Sequence, residues 1–165
     1  MVAVAEDREL ARGYEADFDE LFTTAYRVAH RILGDRSDAD DVAGEVLAKA
    51  WLQWAKVELY AAAWVSRSAA NASISRIRRR DVRERLRLAP PRPQTSQVEL
   101  RQDLVRALRR LPARQREVLV LRYLADLPEQ EVADALGCSI GSVKQHAHRA
   151  LRALRVDMDL TQEDD

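Results

Sequence analysis

The chain has 165 residues, enough for one medium domain or two small ones. Apolar residues make up 47% and charged residues 33%, the balance of a soluble helical protein; the single cysteine, Cys138, excludes an internal disulfide and fits a reducing cytoplasm, and no apolar run approaches the roughly 18 residues of a membrane span. The 27 basic and 27 acidic residues cancel, yet acids crowd Glu15 to Glu45 and Asp157 to Asp165 while arginines crowd Arg76 to Arg92, so a partner touching one face meets a strong local field.

In chain order, MVAVAEDREL lacks a basic start followed by an apolar core, so it carries no secretion signal, and residues 1–13 are predicted to be a frayed tail. From Tyr14 to Leu33 the positions Phe18, Leu21, Phe22, Ala25, Val28, Ala29 and Ile32 keep a helical period, and Gly34 ends the helix. Ser37 is expected to cap a second helix, with Asp38, Asp40 and Asp41 in its first turn, where the helix dipole favours anions. Three neighbouring aspartates also suit a metal, but capping accounts for them without one. This helix runs through Val42, Val46, Leu47, Ala50 and Trp51 to about Trp54, and Gly44 inside it should cost about 1 kcal/mol against alanine.

A third helix is predicted from near Tyr60 through Trp64, Val65, Ala69, Ile74 and Ile77 to about Leu88. Its second half, RIRRRDVRERLRL, places Arg76, Arg79, Arg80 and Arg83 on one face. The plain reading is a solvated, salt-bridged helix end. Asp81 and Glu84 are too few to neutralise so many arginines, however, and a phosphate backbone would do so. Next, LAPPRPQTSQ holds Pro90, Pro91 and Pro93, which forbid helix and favour an extended linker over 89–97. From Val82 to Gln97 an extended chain reaches on the order of 50 Å, more than one DNA helical repeat of about 34 Å, so the two halves could grip separated sites.

After the linker, Val98 to Leu111 reads as a helix with Leu100, Leu104, Leu108 and Leu111 as its stripe; Pro112 interrupts, and Ala113 to Ala125 forms another, with Val118, Leu119, Leu121 and Leu124 inward. Then comes LPEQEVADALGCSIGSVKQHAHRALRAL. Val132 and Leu136 share one face of a short helix, Ala133 allows a close crossing, Gly137 suits a left-handed end and Ser139 suits the next cap. In the following helix Val143, Ala147, Ala150, Leu151 and Leu154 form the apolar stripe. Lys144, Gln145, His148, Arg149 and Arg152 form the opposite, donor-rich face. That spacing is a helix-turn-helix, and a packed back with a basic front suits the major groove of DNA. The fold class is therefore all-α: two small helical domains joined by a proline-rich linker, the C-terminal one containing a helix-turn-helix.

These residues carry a resemblance. LRRLPARQREVLVLRYLADLPEQEVADALGCSIGSVKQHAHRALRALR resembles region 4 of a bacterial sigma factor. The blocks DFDELFTTAYRVAHRILGDRSDADDVAGEVLAKAW and AAAWVSRSAANASISRIRRR resemble region 2. Two such blocks in order, with a short linker and no domain between them, are similar to the extracytoplasmic-function (ECF) sigma factors of the sigma-70 family. The resemblance implies region 2 over 14–88, region 4 over 98–156 and an acidic tail over 157–165. It implies that Asp41, Val42, Glu45, Lys49 and Trp51 meet the clamp helices of core RNA polymerase. Arg67, Asn71, Arg76, Arg78, Arg79 and Arg80 would read and open the −10 element, and Lys144, Gln145, His148, Arg149 and Arg152 would read the −35 element. Core polymerase and promoter DNA are the implied partners; an anti-sigma factor is a further partner class of the family, which no residue here identifies. The implied place of work is the cytoplasm, without membrane insertion.

Five positions depart from the family pattern. Gly44 stands where glutamine is usual on the polymerase-binding helix, Ser75 where aspartate is common, Pro128 where a serine cap is usual, and Gln145-His146 where Ser-Arg is common. These leave the polymerase contact and the −35 sequence open. An autonomous helix-turn-helix regulator is the alternative, but it leaves Tyr14 to Arg80 unexplained. An enzyme is disfavoured: His30, His146 and His148 are the only histidines, the last two point to different helix faces, and no Ser-His-Asp set or glycine-rich phosphate loop occurs. No catalytic residue, metal or cofactor is expected. The acidic tail, with Asp157, Asp159, Glu163, Asp164 and Asp165, is expected either to keep the chain soluble or to screen a basic face.

Overall fold

The computed structural model describes the backbone of residues 2–86 and 96–162 and, except at 81, 84 and 85, the side chains within 11–86 and 99–155. Among the described residues every element is helical. They are α1 (Val2–Leu33), α2 (Arg36–Leu52), a short α3 (Trp54–Val57) leading into a 3₁₀ turn (Glu58–Tyr60), α4 (Ala61–Arg85), α5 (Ser96–Arg110), α6 (Ala113–Leu119), a π turn (Val120–Leu124), α7 (Glu129–Leu136) and α8 (Ile140–Gln162). The proline-rich stretch, expected to act as a linker, and the acidic side chains of the C-terminal tail, expected to keep the chain soluble or to screen a basic face, lie outside the described residues.

Local chemistry sets the breaks. Gly34 ends α1 with φ +68°, a left-handed conformation that glycine adopts without a Cβ clash. Asp35 then caps α2, its Oδ1 accepting the Asp38 N–H at 2.9 Å. The cap is thus Asp35 and not the expected Ser37, because the chain re-enters helix two residues after the left-handed glycine. Gly137 ends α7 at φ +61°, and Ser139 Oγ accepts the Ser142 N–H at 3.1 Å to start α8, as the spacing implied. Pro128 precedes α7 with an extended ψ and supplies its carbonyl to Val132 N–H at 3.1 Å, but no side-chain cap.

Three boundaries differ from expectation. Helix α1 begins at Val2, so residues 2–13 are helical where a tail was expected. The segment is rich in Ala, Glu, Leu and Arg, good helix formers, and it extends a helix already nucleated by packing, which needs no new nucleus. Helix α8 likewise continues to Gln162. The expected helix from Ala113 to Ala125 is α only to Leu119 and then widens: Ala125 N–H reaches Val120 O at 2.9 Å and Leu127 N–H reaches Leu121 O at 2.9 Å.

Helices α1, α2 and α4 form an N-terminal bundle around Val28, Ile32, Val42, Val46, Leu47 and Val65, all buried. Tyr14 clips α1 to α2: its hydroxyl donates to Leu47 O at 2.8 Å, and its ring packs on Trp51 and Trp54 with centroids 5.1 and 5.2 Å away. Burial pushes the Tyr14 hydroxyl above the ordinary tyrosine range. In the C-terminal half α6, α7 and α8 pack through Val118, Val132, Leu136 and Val143. Leu108 and Leu111 of the α5 stripe are buried, but Leu100 is 59% exposed.

The halves do not stand apart. One continuous apolar cluster runs from Val28 and Val65 into Val118, Leu121 and Val132. Ile74 of α4 also packs against a second cluster of Leu108, Leu111, Leu119 and Ala150. The arrangement is a closed one, with the π turn seated against α1 and α4.

Candidate nucleic-acid interface

Helix α4 carries its candidate site side chains on two opposite faces. At about 100° per residue, Arg67, Asn71, Ile74 and Arg78 fall in one line, while Arg76, Arg79, Arg80 and Arg83 fall on the far side. The second set lines a cleft of about 340 Å³ together with Val42, Glu45 and Ala72. It is a basic groove between α4 and α2; the helical spacing of the arginines implied their shared face but not the groove.

Two of its four arginines are not left to solvent, however, while Arg79 and Arg83 are exposed. Arg76 Nη2 donates to Asp41 Oδ2 at 2.9 Å and lies 3.2 Å from Asp38 Oδ1, and Arg80 pairs with the other oxygen of Asp38. The aspartates read from the sequence as dipole partners of α2 thus also anchor α4. Sequence reasoning weighed only Asp81 and Glu84 against these arginines and missed the acids of α2, since pairs 35 to 42 residues apart have no local signal. Asp38→Asn is therefore expected to loosen Arg76 and Arg80. Nonspecific affinity for duplex DNA, measured by fluorescence anisotropy, should rise at low salt and the gain should shrink as salt rises. Stability in urea should fall by about 1.5–3 kcal/mol, the range for a hydrogen bond to a charged partner.

The other face of α4 looks at the C-terminal half. Arg67 Nη1 lies 3.6 Å from Glu117 Oε1 of α6. Arg67, Ala70, Asn71 and Ile74 face Ala113, Arg116, Glu117 and Val120 across a cleft of only about 80 Å³. The six side chains that the sequence groups as one −10 set are therefore split between two surfaces.

On α2, Asp41, Glu45 and Lys49 are exposed and recur at four-residue spacing, forming a ridge; Gly44 beside them has open space where a side chain would stand, and Trp51 is half-exposed. Val42 is 1% exposed and packs inward, so it supports this ridge from behind instead of forming part of it.

On α8, Lys144, Gln145, His148, Arg149 and Arg152 are all exposed, and Val143, Ala147 and Ala150 are buried behind them. His146 turns inward, with Nδ1 shut off from solvent, while His148 faces out. Lys144 Nζ lies 3.5 Å from Glu129 Oε2, and Glu129 Oε1 lies 3.7 Å from Arg122, which donates to Leu127 O at 2.6 Å. Glu129 and Arg122 were not singled out from the sequence. They tie α8 to the turn before α7.

Among the described residues no group of three or more His, Cys, Asp or Glu side chains could hold a metal ion, and no helix is long and apolar enough to cross a membrane.

Residues 18–83 match the family described as sigma-70 region 2, and residues 101–154 match sigma-70 region 4. The chain is 33% identical over 156 residues to the RNA polymerase sigma-E factor of Streptomyces coelicolor, covering 88% of each chain. It is 30% identical over 169 residues to the ECF RNA polymerase sigma factor SigL of Mycobacterium tuberculosis, covering 94% of this chain and 93% of that one. Its fold is similar to that of CnrH in a complex with the cytosolic domain of CnrY, with a TM-score of 0.54 and 22% identity over 93% of this chain and 97% of that one.

Proposed function

The chain belongs to the sigma-70 family as an extracytoplasmic-function sigma factor, and from that membership we propose how its parts act. It is a transcription initiation factor that binds core RNA polymerase and directs it to promoters. The division of labour is region 2 over 14–88, a linker over 89–97 and region 4 over 98–156. The α2 ridge of Asp41, Glu45, Lys49 and Trp51 meets the polymerase, with Val42 holding it from below. Arg67 and Asn71 handle the −10 element, the groove of Arg76, Arg79 and Arg80 holds its phosphates, and Arg78 stands in line with the reading face. The outward face of α8, from Lys144 to Arg152, enters the −35 major groove. The polymerase supplies the chemistry, so this chain needs no catalytic group, and it works in the cytoplasm where the polymerase is.

The observation that carries this reading is the coexistence of two basic surfaces, one on α4 and one on α8, in a chain that matches both regions. An autonomous regulator would need the second alone. The test adds purified protein to core polymerase and maps transcripts from genomic DNA. Defined start sites that appear only with both components are expected. Tight, sequence-specific binding by the protein alone, unchanged by polymerase, would overturn the reading.

A further inference from the structure

The first residue of α7 stands between two cations. Glu129 Oε2 lies 3.5 Å from Lys144 Nζ of α8, and Glu129 Oε1 lies 3.7 Å from Arg122 Nη2 of the π turn. Arg122 is itself fixed, since its Nη1 donates to Leu127 O at 2.6 Å and its side chain is only 27% exposed. A backbone-bonded guanidinium thus holds the carboxylate, and the carboxylate holds the ammonium. Lys144 is the outermost of the three, with a side chain 64% exposed, and it is the most N-terminal of the five candidate reading residues on α8. The N-terminal residues of a recognition helix are the ones that contact base edges. The plain role of Glu129 is to complement the helix dipole of α7, as Glu131 does in the same turn. A dipole partner needs neither a fixed arginine behind it nor a lysine of another helix in front of it.

We propose that Glu129 withholds the Lys144 ammonium from the DNA backbone, so that Lys144 engages a duplex only where base-edge acceptors outcompete the carboxylate. Glu129 is thus a positioning residue that acts through Lys144, and its role rests on the proposed placement of α8 at the −35 element. A lysine carries a compact charge on a flexible four-carbon stem, so an unheld Lys144 reaches phosphates on any sequence. Held by Glu129, it must give up one anion to take another, which is an exchange of like for like. Arg122 keeps the carboxylate in place after Lys144 leaves, and a carboxylate beside a phosphate repels it. At an arbitrary sequence the ammonium therefore stays with Glu129. A guanine edge presents O6 and N7 together in the major groove, two acceptors set back from the phosphates, and there the exchange is favourable.

The test begins in the free full-length chain. Its lysines are only Lys49, Lys56 and Lys144, so isotope labelling of lysine side chains gives a sparse ammonium spectrum. Glu129→Gln, which keeps the shape and removes the charge, should move the Lys144 signal and leave the other two in place, while circular dichroism checks that the helices persist. Anisotropy with a fluorescein-labelled, mixed-sequence duplex should show affinity rising by about twofold to fivefold, the scale of an exposed ion pair. The salt slope should steepen by about one, as expected for one more phosphate neutralised. Lys144→Ala should leave the parent's affinity for this duplex unchanged but should cancel the gain made by Glu129→Gln. A Lys144 signal that stays in place, or no gain in affinity, would overturn the proposal. So would a gain that survives Lys144→Ala, because Glu129 would then act only as an anion near DNA. A parent already weakened on mixed-sequence DNA by Lys144→Ala would overturn it as well, since Lys144 would not be withheld. None of these measurements needs polymerase or a promoter, whereas transcript mapping with core polymerase tests the sigma-factor reading, so failure of one is distinguishable from failure of the other.

Discussion

Leu121→Ala should lower the unfolding free energy by about 2–5 kcal/mol, the range for truncating a fully buried leucine whose cavity does not collapse. Leu121 is 0% exposed and lies in the π turn, inside the cluster that crosses from one half to the other. All three tryptophans, Trp51, Trp54 and Trp64, are in the N-terminal bundle. Their fluorescence in a urea titration therefore reports a half that does not contain the substitution. A shared core requires the tryptophan midpoint to fall along with the helical signal. If the tryptophan transition stayed in place while part of the helicity melted early, the two halves would be independent folding units and the shared core would carry little stability.

Arg149→Ala should weaken holoenzyme binding at promoters with a good −35 element by about 1–3 kcal/mol, or about 5- to 150-fold, if the guanidinium pairs with a base edge. Lys144→Ala should cost less, because Lys144 must first leave Glu129, 3.5 Å away. The two roles separate by sequence and salt. Loss of a base contact relaxes preference at one promoter position, while loss of a phosphate contact weakens all promoters alike and reduces the salt slope by about one. Electrophoretic shifts of holoenzyme on single-position promoter variants at two salt concentrations would tell them apart. Equal binding by parent and Arg149→Ala on every promoter and at both salts would remove Arg149 from the reading face.

The helix-turn-helix was legible because each of its signals is local. Gly137 ends one helix, Ser139 starts the next, and Val143 to Ala150 keeps a helical period within a dozen residues. The same holds for Gly34 and for the arginine face of α4. The cap at Asp35 was misplaced by two residues, since Asp and Ser serve equally well there and only the backbone decides. The closed arrangement was not legible. Arg31 with Leu124 and Arg67 with Glu117 are pairings set by tertiary packing, 93 residues apart in the first case, and nothing in the helical period of either partner announces the other. The π turn was hidden for a related reason. The run VLRYL has the composition of an ordinary α-helix, and its widening shows only in which carbonyl each N–H reaches.

That widened turn acts as a phase setter. An α-helix advances by about 100° per residue, so one residue more or fewer in Val120–Leu124 turns everything downstream by roughly that angle about the local axis. Upstream of it, α6 faces Arg67 and Asn71; downstream, α7 and α8 aim the basic face from Lys144 to Arg152. The bearing of α8 relative to the face of α6 that meets Arg67 is thus sensitive to a single residue of backbone. A one-residue deletion there would leave both surfaces chemically intact but misaligned by about a quarter turn.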